Sequence, residues 1–306
     1  MASVLLRRLL QTALILLGVA AVTFILLYAL PADPARMIAG RSATAQTVAN
    51  IRHELGLDQS LPVQFWHYLS NLFHGNFGRS YAQKTDVGLL LLSRIPATLT
   101  LMAAGIFIEV LLGVILGVTA AVKRGSFIDN LVMMTSFVGV SAPQFVVALL
   151  LLYVFAVTLG WFPMSGYGTW AHVVLPATTL GVLGAGWYAR MVRSAMIDVL
   201  NQDYVRTASA KGLSTARILL RHALPNAMLP IIAMIGIDIG QFMGGVVVVE
   251  AVYGWPGIGQ LAWQAIQQVD IPIIMGVTLV SAFAIVLGNL IADLIAPLID
   301  PRIRTS

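Results

Sequence analysis

Three carboxylates lie inside otherwise apolar runs of this 306-residue sequence: Glu109, Asp238 and Asp293. An ionisable group among residues suited to hydrocarbon is costly, and such groups face a bundle interior or a water-filled path. Spacing gives each a different setting. Glu109 is four residues from both Gly105 and Gly113, with Gly117 one turn further, so on a helix it shares a close-packing stripe. Asp238 is two residues from Gly236 and from Gly240, which places it off the small-residue face formed by Gly236, Gly240 and Gly244. Asn289 and Asp293 are one helical turn apart. These groups can line a path for a solute or ion, or they can hydrogen-bond helices together, which is the commoner fate of buried polar groups. A fourth carboxylate, Glu250, ends an apolar run just before Trp255-Pro256-Gly257. It can gate a path or scaffold its end, with scaffolding favoured.

Other chemistry is missing. A phosphate-cradling loop needs Gly-Lys-Ser/Thr, yet none of Lys84, Lys123 and Lys211 follows a glycine. His53-Glu54 starts like a zinc-protease motif, but Leu57 stands where the second histidine belongs. Gly139-Val140-Ser141 is not a nucleophile elbow, since Pro143 replaces the closing glycine. With 0 cysteines there is no thiolate nucleophile or thiolate metal site. The five histidines (53, 67, 74, 172, 222) are scattered, and only His67 and His74 are two helical turns apart. No catalytic, metal-binding or cofactor role is expected.

The elements that must position the carboxylates are membrane helices. Hydrophobic residues make up 58% and charged residues 10% of the chain, and mean hydropathy is +0.88; a soluble domain carries about 25% charged residues. A crossing of ~30 Å of hydrocarbon needs roughly 20 mostly apolar residues. Six runs qualify, at about 9–30, 97–121, 132–158, 173–193, 228–250 and 274–297. The uncharged stretch Leu9 to Ala32 exceeds the apolar core of a signal peptide and reads as a retained span.

Lys and Arg then set orientation. With the N-terminus cytoplasmic, twelve of the eighteen fall inside, including Arg7, Arg8, Lys123, Arg124, Arg190, Arg193, Arg206, Lys211, Arg217 and Arg221. The short outer loops near 159–172 and 251–273 contain none. The other six lie in a long outer loop, about 31–96, and long loops translocate largely regardless of charge. Both termini are expected in the cytoplasm. The outer loop should hold a helix over 44–57, started by Thr44 and stopped by Gly56, and an amphipathic one over 62–74 with Phe65, Trp66, Leu69, Leu72 and Phe73 at helical spacing. GNFGRS (75–80) reads as a turn.

The cytoplasmic loop between the fourth and fifth spans is the most informative segment. Residues 203–212 read DYVRTASAKG: Asp203 suits a helix start, Lys211 the negative helix end, and Gly212 a left-handed stop. A second helix runs from Ser214 to about Leu224 with Arg217, Arg221 and His222. A polar connector would keep positive charge inside equally well, but a capped helix of small residues clear of the bilayer fits a partner's groove.

YVRTASAKGL…LLRHALPNAMLPII resembles the cytoplasmic "EAA" loop of binding-protein-dependent ABC permeases. Gly212 matches its glycine and Leu224-Pro225 its closing Leu-Pro, while Arg206-Thr207-Ala208 replace Glu-Ala-Ala and His222 stands where Ile is usual, a variant of the peptide/nickel branch. DPARMIAG…HELGLDQSLPVQFWHYL…GNFGRSY, VVVVEAVYGWPGIGQL (246–261) and DPRIR (300–304) resemble further signatures of the dipeptide/oligopeptide/nickel permeases, of the first type with a long outer loop.

The resemblance implies an all-α, six-span type I importer permease in the bacterial inner membrane. Residues 1–96 would form the first helix with its periplasmic loop, and 97–306 a five-helix core with a coupling loop at about 194–227. In that family a short coupling helix docks on an ATPase, which implicates Asp203, Tyr204, Arg206, Thr207, Ala208, Lys211 and Gly212. The implied partners are a second homologous permease, two ATP-binding subunits that hold the ATP and Mg, a periplasmic or surface solute-binding protein and membrane lipid, with no nucleic acid. The implied solute is a di- or oligopeptide, glutathione-like peptides included, with nickel or a nickel chelate as the alternative. From another class, an ion-coupled secondary carrier would use Glu109, Asp238 and Asp293.

Overall fold

The protein is described by a computed structural model covering residues 2–29, 34–40, 43–54, 56–244 and 246–299, with side chains given for 10–26, 35–36, 39–40, 43–54, 56–244 and 246–290. The Asp293 side chain and the DPRIR run at 300–304 therefore lie outside the described residues. The chain is all-α. Its helices are α1 (Ala2–Ala29), α2 (Pro34–Ala39), α3 (Ala45–Glu54), α4 (Leu61–Phe73), α5 (Val87–Val122), α6 (Phe127–Ser141), α7 (Gln144–Leu151), α8 (Trp170–Leu200), α9 (Asp203–Ala210), α10 (Thr215–Arg217), α11 (Leu224–Ala227), α12 (Leu229–Met243), α13 (Val247–Val252), α14 (Ile258–Gln268) and α15 (Ile271–Ile299). Two π-helical turns continue α7 through Leu152–Thr158 and join α10 to α11 through Ile218–Ala223.

Both predicted outer-loop helices form. Thr44 Oγ1 accepts from the Thr47 amide at 3.2 Å at the start of α3, and Gly56, at φ +65°, follows its end. The apolar side of α4 packs on α1, with the Phe65 and Phe24 rings 5.2 Å apart, and leaves Trp66 and Phe73 exposed. Asp86 starts α5 by accepting from the Leu89 amide at 3.1 Å. The buried Asp270 carboxylate accepts from Ser80 Oγ at 2.5 Å and from the Ala82 amide at 3.0 Å, which staples the 75–86 turn region to the start of α15.

The membrane helices depart from six straight rods. Val87–Val122 and Ile271–Leu290 are each long and apolar enough to cross a bilayer. The expected span at 132–158 is instead α6 and α7 bent by 103°, and the approach to α12 is bent by 50°. Proline causes the first break: Ala142 is extended at ψ 133° ahead of Pro143, as a residue preceding proline prefers, and no helix runs through. The expected span at 228–250 is likewise divided, with α12 ending at Met243 and α13 starting at Val247. The outer segment 251–273 is no bare loop either. Its α14 buries Ile258, Leu261 and Ala265 against Val87, Leu91 and Ile273.

Glycine lets α5 and α8 touch backbone to backbone. A Cβ on Gly117 would come within 2.6 Å of both the Ala189 carbonyl oxygen and Val192 Cβ, and one on Gly113 would overlap Tyr188. Gly236 and Gly240 are buried, and Gly240 packs on Ile285 and Gly288 of α15. Gly244 is not part of that face, because it ends α12.

Candidate functional site

The polar groups separate into three levels along α8. Toward the N-terminal end of α8, Tyr253 donates its hydroxyl to the Ala148 carbonyl at 3.0 Å and lies 2.9 Å from Thr179 Oγ1. The Trp255 indole donates to the Ala97 carbonyl at 2.9 Å. Glu250 is 0% exposed; it accepts from the Gln260 amide at 2.8 Å and from Thr98 Oγ1 at 3.3 Å, and Thr98 Oγ1 itself accepts from the Ile258 amide at 2.8 Å. A carboxylate here caps the first turn of α14, where free amides and the helix dipole favour negative charge. Gly257 and Gly259 leave the room it needs, since a Cβ on either would meet Glu250. The Glu250 bonds to Gln260 and Thr98 both go to groups of its own chain, an arrangement that a scaffolding role would use.

Midway along α8, Glu109 of α5 and Asp238 of α12 both approach it. Asp238 of α12 accepts from the Tyr188 hydroxyl. Glu109 is 4% exposed and lies where a Gly184 side chain would otherwise be. Its Oε2 is buried with no hydrogen-bond partner among the described residues. The structure thus brings Glu109, Tyr188 and Asp238 to one helix junction. Among the described residues, no three His, Cys, Asp or Glu side chains are grouped to hold a metal ion.

At its C-terminal end, α8 leads into α9. Gln202 is the N-cap residue, and Asp203 is the first helical residue rather than the cap, with its side chain 98% exposed. Val205 and Ala208 turn inward against Ile218, Val199 and Leu200, while Tyr204, Arg206, Thr207 and Lys211 face outward. Thr207 Oγ1 donates to the Asp203 carbonyl at 2.9 Å, and an Arg206 nitrogen lies 3.8 Å from the Asp203 carboxylate. Gly212, at φ +76°, closes the helix with its amide 2.9 Å from the Ser209 carbonyl. The arrangement is a short helix with an apolar underside fixed to α8 and a polar outer face.

Several of these residues escape inspection of the sequence. Arg193 of α8 grips Asp129 of α6 through two bonds, Nε at 2.6 Å and a terminal nitrogen at 2.7 Å. Tyr188, Thr98 and Thr179 likewise find partners at least 50 residues away. The one local signal was Asp129, a lone acid just after Lys123-Arg124-Gly125-Ser126.

Residues 113–305 match the family described as "Binding-protein-dependent transport system inner membrane component", and residues 1–102 match its "Binding-prot-dependent transport system membrane comp, N-term". The "Glutathione transport system permease protein GsiC" of Salmonella typhimurium is 42% identical over 299 residues, 98% of each chain, and that of Escherichia coli K12 is 41% identical over 298 residues, 97% of each. The fold is that of a chain of the MetNI methionine ABC transporter in an inward-facing conformation, with a TM-score of 0.57 at 21% identity over 69% of this chain and 96% of that one. The chain belongs to the binding-protein-dependent transport system inner membrane component family, as an ABC importer permease of the peptide/nickel type.

Proposed function

We propose that this chain is the permease subunit of an ATP-driven importer that carries di- or oligopeptides, glutathione-like peptides included, across the bacterial inner membrane. It pairs with a second homologous permease, two ATP-binding subunits and an external solute-binding protein. ATP and Mg belong to the ATP-binding subunits, and this chain hydrolyses nothing. Both termini are cytoplasmic, and the helices make six crossings, with the α6–α7 pair bent within its crossing.

The solute assignment rests on the glutathione permeases that match this chain almost from end to end. The coupling assignment rests on α9: its underside is packed on α8, and its outer face offers Asp203, Tyr204, Arg206, Thr207 and Lys211 to a partner. Closure of the ATP-binding subunits would pull on this helix, and the bundle would change from inward- to outward-facing as a rigid-body rearrangement.

Tagged protein is purified in detergent from its native host, and ATPase activity is assayed on the eluate beside Gly212→Asp. The wild type should retain ATP-binding subunits and a second permease, and the variant should lose them or their activity. Uptake of labelled glutathione and dipeptides into vesicles is then compared with uptake of nickel. Uptake of nickel alone overturns the solute assignment. Transport by the lone chain down an ion gradient overturns the importer reading and returns attention to Glu109, Asp238 and Asp293.

A further inference from the structure

We propose that the Asp129–Arg193 pair is the joint through which displacement of α9 reaches the bent α6–α7 pair, so that both residues position the transport path without touching solute. The proposal rests on α9 being the coupling helix.

The argument begins with what each helix is tied to. The α5 and α8 helices are in close contact over about three turns, from Gly105 on Leu180, through Gly113 on Tyr188, to Gly117 on Ala189 and Val192. Packing that close couples the movement of one helix to the other. The cytoplasmic end of that helix pair carries α9, since Val205 and Ala208 share a buried cluster with Val199, Leu200 and Ile218.

The α6 helix meets this helix pair both at a close glycine contact and through a polar tie. Gly186 lets α8 approach the Ser136 carbonyl, where an added Cβ would stand 2.5 Å away. The polar tie between α6 and α8 is Arg193 on Asp129, a two-point grip with the Asp129 side chain 3% exposed. A planar guanidinium meeting a carboxylate at two points fixes angle as well as distance.

Asp129 does a second job. It accepts from the Gly125 amide at 2.9 Å, and its own amide lies 3.4 Å from Ser126 Oγ. The carboxylate therefore sets the turn between α5 and α6 while it holds Arg193. Beyond α6 comes the 103° bend at Ala142-Pro143, and then α7, whose Ala148 carbonyl accepts from Tyr253 at the outer junction. A continuous set of contacts runs from α9 through α8 and Arg193 to α6, the bend and the outer end.

Lys in place of Arg keeps the charge and loses the two-point geometry. The whole importer, isolated with this chain as wild type, Asp129→Asn, Arg193→Lys or the exchanged pair Asp129→Arg with Arg193→Asp, is reconstituted in vesicles, and solute uptake and ATP hydrolysis are measured on the same sample. The two single variants should assemble and hydrolyse ATP while uptake per ATP falls about tenfold, as a loss near 1.4 kcal/mol would give. The exchanged pair should recover part of that ratio. Unchanged uptake per ATP in both single variants overturns the proposal. So does a loss of uptake that only follows a loss of assembled complex, which is the signature of a structural ion pair. If the wild-type chain brings no ATP-binding subunits, the coupling reading itself has failed; if the wild type is coupled and the variants are too, only the joint has.

Discussion

The two ends of α8 treat the carboxylates beside them in opposite ways. Near its N-terminal end Glu250 is wholly enclosed and serves an amide and a hydroxyl of its own chain. Beyond its C-terminal end Asp203 is almost wholly in solvent, on a helix whose apolar side is already used. Both stand in segments that resemble family signatures, and resemblance alone does not tell them apart. Burial with internal pairing favours a fold-holding role for Glu250, and exposure over a packed underside supports the proposal that α9 receives a partner. Mutations at the two ends should therefore differ in what they damage.

The largest effect on stability is expected at Glu250. Ala in its place strands the Gln260 amide and Thr98 beside a cavity, at about 3 kcal/mol or more. Glu250→Gln should cost less, since one acceptor oxygen remains. Thermal unfolding of the purified protein reads both. A shift at Glu250→Ala no larger than that of a surface substitution would end the scaffold assignment and reopen a gating role.

Next comes the seam that joins the two ends. Gly117→Leu forces a side chain into a space already filled by Ala189 and Val192. Overpacking costs about 1–3 kcal/mol, and at a backbone contact the upper end applies. Gly244→Ala meets nothing but carbonyls of its own helix and should cost well under half of that. Equal losses at the two glycines would mean that α5 and α8 are not held by close approach.

Much of this was legible in the residues. Apolar runs gave the helices, Thr44 and Gly56 bounded α3, and the Gly105-Glu109-Gly113-Gly117 spacing anticipated the face that meets α8. Each of those signals is local. The bend at Ala142-Pro143 was not seen, because hydropathy stays high on both sides of it and a proline in an apolar run can kink a span as well as break it. Glu250 was placed at the outer end of a span, but its partners Thr98 and Gln260 follow from folding and not from spacing. In the sequence Arg193 reads only as an inside charge, since nothing near it points to Asp129, 64 residues away.

A smaller effect is expected at Asp203→Ala. The Asp203–Arg206 approach is 3.8 Å between two exposed groups, and such pairs contribute about 0–1 kcal/mol. Unfolding should shift by less than about 0.5 kcal/mol. If α9 is a docking helix, co-purification of ATP-binding subunits should weaken all the same. A variant that unfolds like Glu250→Ala would erase the contrast between the two ends.

The smallest effect tests whether enclosure, and not simply location on the outer side, makes Glu250 structural. His53 and Asp58 lie in the segment expected to form the long outer loop, and their ring nitrogen and carboxylate are 2.6 Å apart, yet the pair is open to solvent. Hydrogen bonding to Asp58 raises the His53 pKa, and the same bond lowers that of Asp58. The raised histidine contributes below its unfolded value near 6.5 and loses its contribution as pH rises through the folded value. The lowered carboxylate contributes above its unfolded value near 3.9 and loses its contribution as pH falls. The pair is thus intact between about pH 4 and 6.5 and weakens on either side. Its exposure leaves nothing measurable for unfolding, so the readout is the His53 ring titration followed by NMR. Asp58→Asn should return that titration to the ordinary histidine range without moving thermal unfolding. A drop in stability on the scale of Glu250→Ala would mean that outer-side polar pairs hold the fold whether or not they are enclosed.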